Sequence, residues 1–224
     1  MDLWYAHQGT TVYMLTKLPE GETRKAGYED SGWTTYERCS AEQIKKVYLY
    51  KANWKLVLDL GSDDEVKRNW PIGPDEFEEL IAQKVFTNGS DMHAVMKLFR
   101  QMSQKQLGGI AALDFDGMRP PSTQEAKALG GCLSLCGSLK KLDLCRVGLT
   151  DESTAALFAN LAMGALANLI NLNLRWNEIG DEGIKAFSVS LATGALANLK
   201  SLDLAGNPAS DEAQQRAQDA LKQR

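Results

Sequence analysis

Apolar positions in the second half of this chain recur every 30 residues. Leu139, Leu142 and Leu144 return as Leu169, Leu172 and Leu174, then as Leu199, Leu202 and Leu204, always as Leu-x-x-Leu-x-Leu. Ile110, Leu113 and Phe115 carry the same spacing one block earlier. Alternation over the last three positions predicts a short strand with one buried face. The pattern then changes to helical spacing. Ile184, Phe187 and Leu191 fall on one face of a helix predicted over Asp181 to Leu191, and Asp151 to Leu161 reads the same way. Asp151-Glu152 and Asp181-Glu182 sit in the first turns, where negative charge favours the helix dipole. The segment Gly164-Ala-Leu-Ala-Asn168 reappears unchanged as Gly194-Ala-Leu-Ala-Asn198. Each unit is thus strand, turn, helix and return loop. Units begin near 110, 139 and 169, with a partial fourth near 199, so the repeats occupy 108–224. A fixed period of this size predicts a solenoid, whose units bury their apolar faces only by stacking. The polar helix predicted from Asp211 suits an end that meets solvent.

Residues 1–107 do not repeat. Thr11 to Leu15 reads as a buried strand, and Lys17 to Gly32 as a loop rich in glycine and charge. Ser31 is placed to cap a helix from Trp33 to about Lys46, with Trp33, Tyr36 and Ile44 as its apolar side. Trp54 to Leu58 reads as a second strand. Pro74 to Ile81 starts a helix with proline in its first turn. Ser90 or Asp91 caps another that runs to about Ser103, with Val95, Leu98, Phe99 and Met102 on one side, and Gln104 to Gly109 reads as a junction. This half is expected to be an α/β segment that docks on the first repeat and caps it.

Composition narrows the class. Hydrophobic residues make up 44% and charged residues 24%, as in an ordinary soluble protein, and the net charge of -4 argues against general binding to nucleic acid or anionic membranes. No apolar run reaches the ~20 residues of a membrane span. The opening Met1-Asp-Leu-Trp-Tyr5 has no basic n-region or apolar core, so no secretory leader is expected. Cys39, Cys132, Cys136 and Cys145 are too few for a disulfide scaffold, and a reducing cytoplasm with free thiols is the expectation.

The repeat residues resemble leucine-rich repeats of the ribonuclease-inhibitor type, which read Leu-x-x-Leu-x-Leu-x-x-Asn-x-Ile/Leu before a helix. Leu142, Leu144, Leu172, Leu174, Leu202 and Leu204 take the strand leucine positions, and Asn177 and Asn207 take the asparagine slot. Met118 and Val147 stand in that slot in the first two units. The resemblance implies a curved stack with strands on the concave side, helices outside and a protein partner across the concave face. It also implies that the buried asparagine bonds neighbouring backbone where the chain leaves the strand. Outward strand positions then form two columns: Asp114, Asp143, Asn173 and Asp203, followed by Asp116, Cys145, Arg175 and Ala205. Asp143, Asn173 and Asp203 read either as a floor for a basic partner or as ordinary filler between leucines. Arg175 and Trp176 are not demanded by the repeat and belong to residue types enriched in binding hot spots. Trp176 alternatively covers the exposed end of a short stack.

Residues 1–46 resemble part of a Toll/interleukin-receptor domain, through a strand, a loop and Ser31-Gly-Trp33-Thr-Thr-Tyr-Glu37. Thr34 stands where that family has cysteine. In its NAD-cleaving members a glutamate at the position of Glu37 is required for breaking the glycosidic bond, where a carboxylate stabilises oxocarbenium-like charge. The alternative reading is Trp33 in the core and Glu37 as an ordinary helix residue.

Other chemistry is sparse. There is no phosphate-binding Gly-x-x-x-x-Gly-Lys-Ser/Thr and no Gly-x-Gly-x-x-Gly. Cys132, Cys136 and Cys145 fit small buried hydrophobes better than a zinc set. A nucleophilic Cys39–His7 pair would have to meet across the fold, and His93 reads as a surface residue. The expectation is a non-catalytic interaction scaffold with no cofactor and no metal, binding a protein partner, with incomplete NAD-hydrolysing or signalling chemistry at Glu37 as the alternative.

Overall fold

The computed structural model describes residues 7, 10–16, 21, 27–46, 48–49, 54–55, 57–59, 68–159, 161 and 164–223, and the chain divides into two compact units, Met1–Gln106 and Leu107–Arg224. Residues 17–20 and 22–26 of the predicted loop, and Leu56 within the predicted second strand, lie outside the described residues.

In the first unit, strand β1 (Val12–Met14) pairs in parallel with β4 (Val57–Asp59), and β2 (Tyr48–Leu49) pairs antiparallel with β3 (Trp54–Lys55). Trp54 to Leu58 is therefore split between two pairings rather than forming one strand. Only Met14 of β1 is buried, while Tyr13 and Leu15 are exposed, so the expected buried strand has one open face. Helix α1 spans Gly32–Glu42 and stops short of Lys46. Ser31 takes the N-cap position without a side-chain cap bond. Its neighbour Gly32 is required by packing, because the Phe86 ring occupies the space a Cβ would need. Helix α2 (Pro74–Ile81) has proline in its first turn as expected. Helix α3 runs from Asp91 to Gly109, well past Ser103. Tyr36, Phe77, Ile81, Val95, Phe99 and Met102 form one apolar cluster, with the Phe77 and Phe99 rings stacked at 3.9 Å. Trp33 is not in it. Its ring is 41% exposed, and its indole N–H donates to the Asp91 carboxylate at 3.1 Å.

The second unit is a parallel sheet in the order β5 (Ala112–Asp114), β6 (Lys141–Asp143), β7 (Asn171–Asn173) and β8 (Ser201–Asp203). Leu113, Leu142, Leu172 and Leu202 are in register and buried. After each strand comes a helix: α4 (Thr123–Leu133), α5 (Asp151–Ala159), α6 (Asp181–Ala192) and α7 (Asp211–Lys222). Ile184, Phe187 and Leu191 face inward from α6, and Phe187 meets Phe158 of α5 edge to face at 4.9 Å. Only Ala217 of α7 is buried.

Side chains tie successive units together. Asn177 accepts from the N–H groups of Val147 and Leu149, both at 3.1 Å, and donates to Leu144 O at 2.8 Å and Leu174 O at 2.9 Å. Asn207 repeats this one unit on, accepting from Ile179 N–H at 3.1 Å and donating to Leu174 O and Leu204 O at 2.8 Å. At the return loops Asn168 donates to Gly137 O and Asn198 to Ala167 O. The repeated Gly-Ala-Leu-Ala-Asn therefore supplies a second ladder.

Val147 leaves the ladder without a buried defect, for a local reason. One unit earlier, the counterpart of Leu149 is Pro120, which has no N–H to satisfy. The counterpart of Val147 is Met118, whose N–H already donates to Phe115 O at 3.0 Å. An asparagine at 147 would find few groups waiting, and an apolar residue fits.

Helix starts are satisfied in different ways. Ser122 and Glu125 form a capping box on α4. The Arg119 guanidinium, helped by the Ser122 N–H, holds the Glu125 carboxyl down to about 2. Helix α6 begins after Gly180, which has no side chain to cap it. Asp151 of the preceding unit takes that role, accepting from Gly180 N–H at 2.6 Å and Gly183 N–H at 2.9 Å. A Cβ on Gly183 would lie 2.5 Å from the same carboxylate. Asp151→Ala is expected to cost about 1–3 kcal/mol, the range for a lost cap and charged hydrogen bonds. The check is the urea midpoint of the full chain, with Asp151→Asn falling between the two because its amide oxygen still accepts.

Candidate functional site

Residues between the strand leucines point away from the core and make up the open face of the sheet. Asp114, Asp143, Asn173 and Asp203 occupy one register row. Each accepts through its side-chain oxygen from the N–H two residues on: Asp116 at 3.2 Å, Cys145 at 3.0 Å, Arg175 at 3.1 Å and Ala205 at 3.2 Å. These are Asx turns that steer the chain off each strand. Asn173 also donates to Asp143 at 3.0 Å. The row is thus engaged in the fold as well as facing outward.

Arg175 is half-exposed and reaches Asp203 at 3.5 Å, longer than the ~2.7–2.9 Å of a strong charge-assisted bond. Trp176 follows it with φ 54°, in the left-handed region, and is 58% exposed. Its indole lies on the turn of the next unit, where a Cβ on Gly206 would sit 2.5 Å from the ring. The ring therefore rests on Gly206, in the turn that follows β8. Gly206 is itself left-handed, at φ 79°.

Arg146 was not singled out by sequence. It stands one unit before Trp176, also in the left-handed region at φ 55°, and pairs with Asp116 at 2.6 and 3.0 Å. The corresponding positions in the flanking units are Gly117 and Gly206, both with positive φ. That glycine column was the available signal. A bulky residue between two glycines in such a column marks a strained turn that costs of order 1–3 kcal/mol. Arg146, Arg175 and Trp176 are contiguous along this rim, with Arg146 N–H donating to Arg175 O at 3.0 Å.

Burial pushes the Cys136 thiol up to about 12 and raises Cys39 and Cys145 as well. Cys132 and Cys136 are buried in and after α4, and Cys145 is half-buried on the open face. Among the described residues no three His, Cys, Asp or Glu side chains are grouped to hold a metal. Glu37 is half-buried on α1. Burial, with the added charge of Glu37, pushes the Tyr28 phenol up to about 12. Glu42 lies deeper, bonded by Arg38 and by the Asn69 N–H at 3.1 Å.

No helix of the described residues is long and apolar enough to cross a membrane. A comparison with curated proteins found no match. Residues 165–188, from the return loop through β7 into α6, match a family model described as Leucine Rich repeat, and this match supports a leucine-rich-repeat protein.

Proposed function

We propose that the chain is a non-catalytic protein-interaction module, built as a short curved stack of ribonuclease-inhibitor-type repeats. The partner lies on the concave, strand-bearing face, anchored by Arg175 and Trp176, with Asp143, Asn173 and Asp203 as a polar floor. The observation that carries this reading is Trp176. An exposed indole on a left-handed backbone contributes little to the core and lies beside a loosely paired arginine. Arginine and tryptophan dominate binding hot spots, and two such anchors are worth ~2 kcal/mol or more each. The net charge of -4 favours a protein partner over nucleic acid or an anionic membrane, and a cytoplasmic setting fits free thiols.

The test is affinity capture from lysate of the native organism with wild type and the double variant Arg175→Ala/Trp176→Gly. Glycine suits the left-handed position, so the variant is expected to keep its fold. Loss of a specifically captured protein by more than ~tenfold is the expected result. Equal capture by both proteins, at matched melting temperature, would move the site off this rim.

A further inference from the structure

Among the described residues, strand β8 has a strand neighbour on one side only. Parallel ladders leave the same backbone groups facing the next strand in every unit. Leu144 N–H donates to Asn173 O and Leu174 N–H to Asp203 O, so Leu204 N–H and the in-register Leu202 backbone face the free edge. A second set of carbonyls behaves likewise in the loop after the strand. Leu149 O accepts from Glu178 N–H at 2.8 Å, and Ile179 O accepts from Ala209 N–H at 3.0 Å. The next carbonyl of that series is Ala209 O.

Two of the carbonyls at the free edge are taken by side chains of α7. Gln218 donates to Leu202 O at 2.7 Å, and Gln214 donates to Ala209 O at 2.9 Å. The two glutamines are one helical turn apart on one face, and each stands where a donor of a further unit would be. We infer that Gln214 and Gln218 close the free edge of β8 against strand addition by a second copy of this chain. An exposed edge is a template for pairing with another chain, and proteins commonly cover it. A second β8 is the natural occupant because it presents the same unpaired groups and could pair about a two-fold axis.

The test is sedimentation velocity of the full chain over a wide concentration range, with amide hydrogen exchange read at Leu202 and Leu204. Wild type is expected to sediment as a monomer with both amides exchanging rapidly. Gln214→Ala/Gln218→Ala is expected to shift toward the dimer mass as concentration rises, with both amides slowed in the dimer. Gln214→Met/Gln218→Met should behave alike, since methionine keeps side-chain length and helix propensity but offers no N–H donor. Lysine at both positions keeps a donor and should remain monomeric. The inference is overturned if the alanine and methionine variants stay monomeric, or if they associate without slowing at Leu202 and Leu204. Edge-protected association of wild type would overturn it too.

Discussion

Asn177→Ala is expected to destabilise the repeat unit by about 3–5 kcal/mol, enough to threaten a domain whose total stability is ~5–15 kcal/mol. The side chain is 5% exposed and serves two units at once. Its removal strands the N–H groups of Val147 and Leu149 and the carbonyl of Leu144 away from water, while Leu174 O keeps its bond from Asn207. Each stranded group costs ~1–3 kcal/mol, partly recovered as water enters or the turn relaxes. Equilibrium urea unfolding measures the loss. Asn207→Ala should cost less, because the last unit is more open to solvent and Asn207 accepts from Ile179 N–H alone. The order of the two variants is as informative as their size.

Leu172→Ala should cost about 2–5 kcal/mol, the range for truncating a buried leucine. Leu172 is in register between Leu142 and Leu202, and all three are almost completely buried. The cavity falls in the middle of the stack, where neither neighbour can collapse into it without breaking the ladder of backbone bonds. A fall in melting temperature with retained secondary structure is the expected reading. A near-wild-type melt would mean that the leucines do not share one continuous core.

The repeat half was largely legible in the sequence because its signal is redundant. Leu-x-x-Leu-x-Leu fixes which strand face is buried, and helical spacing places Ile184, Phe187 and Leu191 together. Each statement recurs unit after unit, so one deviant residue does not obscure it. What the period hides is which unit a side chain serves. Asp151 looks like a residue that favours its own helix, yet its carboxylate caps α6 of the next unit. The exception at Val147 depends on Pro120, a full unit away. Neither relation can be read from spacing alone.

The candidate site was legible in part. Arg175 and Trp176 stood out because the repeat has no need of them. Arg146 and Gly206 did not, since their roles depend on backbone torsion: Arg146 shares the left-handed turn, and Gly206 is the shelf beneath the indole. The Asp and Asn row was recognised, but its Asx turns required coordinates.

The first unit was harder for physical reasons. Helix α3 continues through Gln104 to Gly109, where Gln104, Lys105 and Gln106 are good helix formers and Leu107 is buried. Ser103, expected near the end, is instead buried and accepts from Gln43 at 2.8 Å. Trp33 faces outward because the Asp91 carboxylate gives its N–H a partner at the surface.

The central claim is that side-chain relays join adjacent units into one cooperative face, and amide hydrogen exchange on the full chain tests it most directly. Val147, Leu149 and Ile179 lie outside the strands, and their N–H groups bond to asparagine side chains. The account predicts that these three amides are protected as strongly as Leu144 and Leu174 at the strand ends, and that Asn177→Ala abolishes protection at Val147 and Leu149 before any global loss. Exchange of the three amides at loop-like rates in the wild-type chain would contradict it.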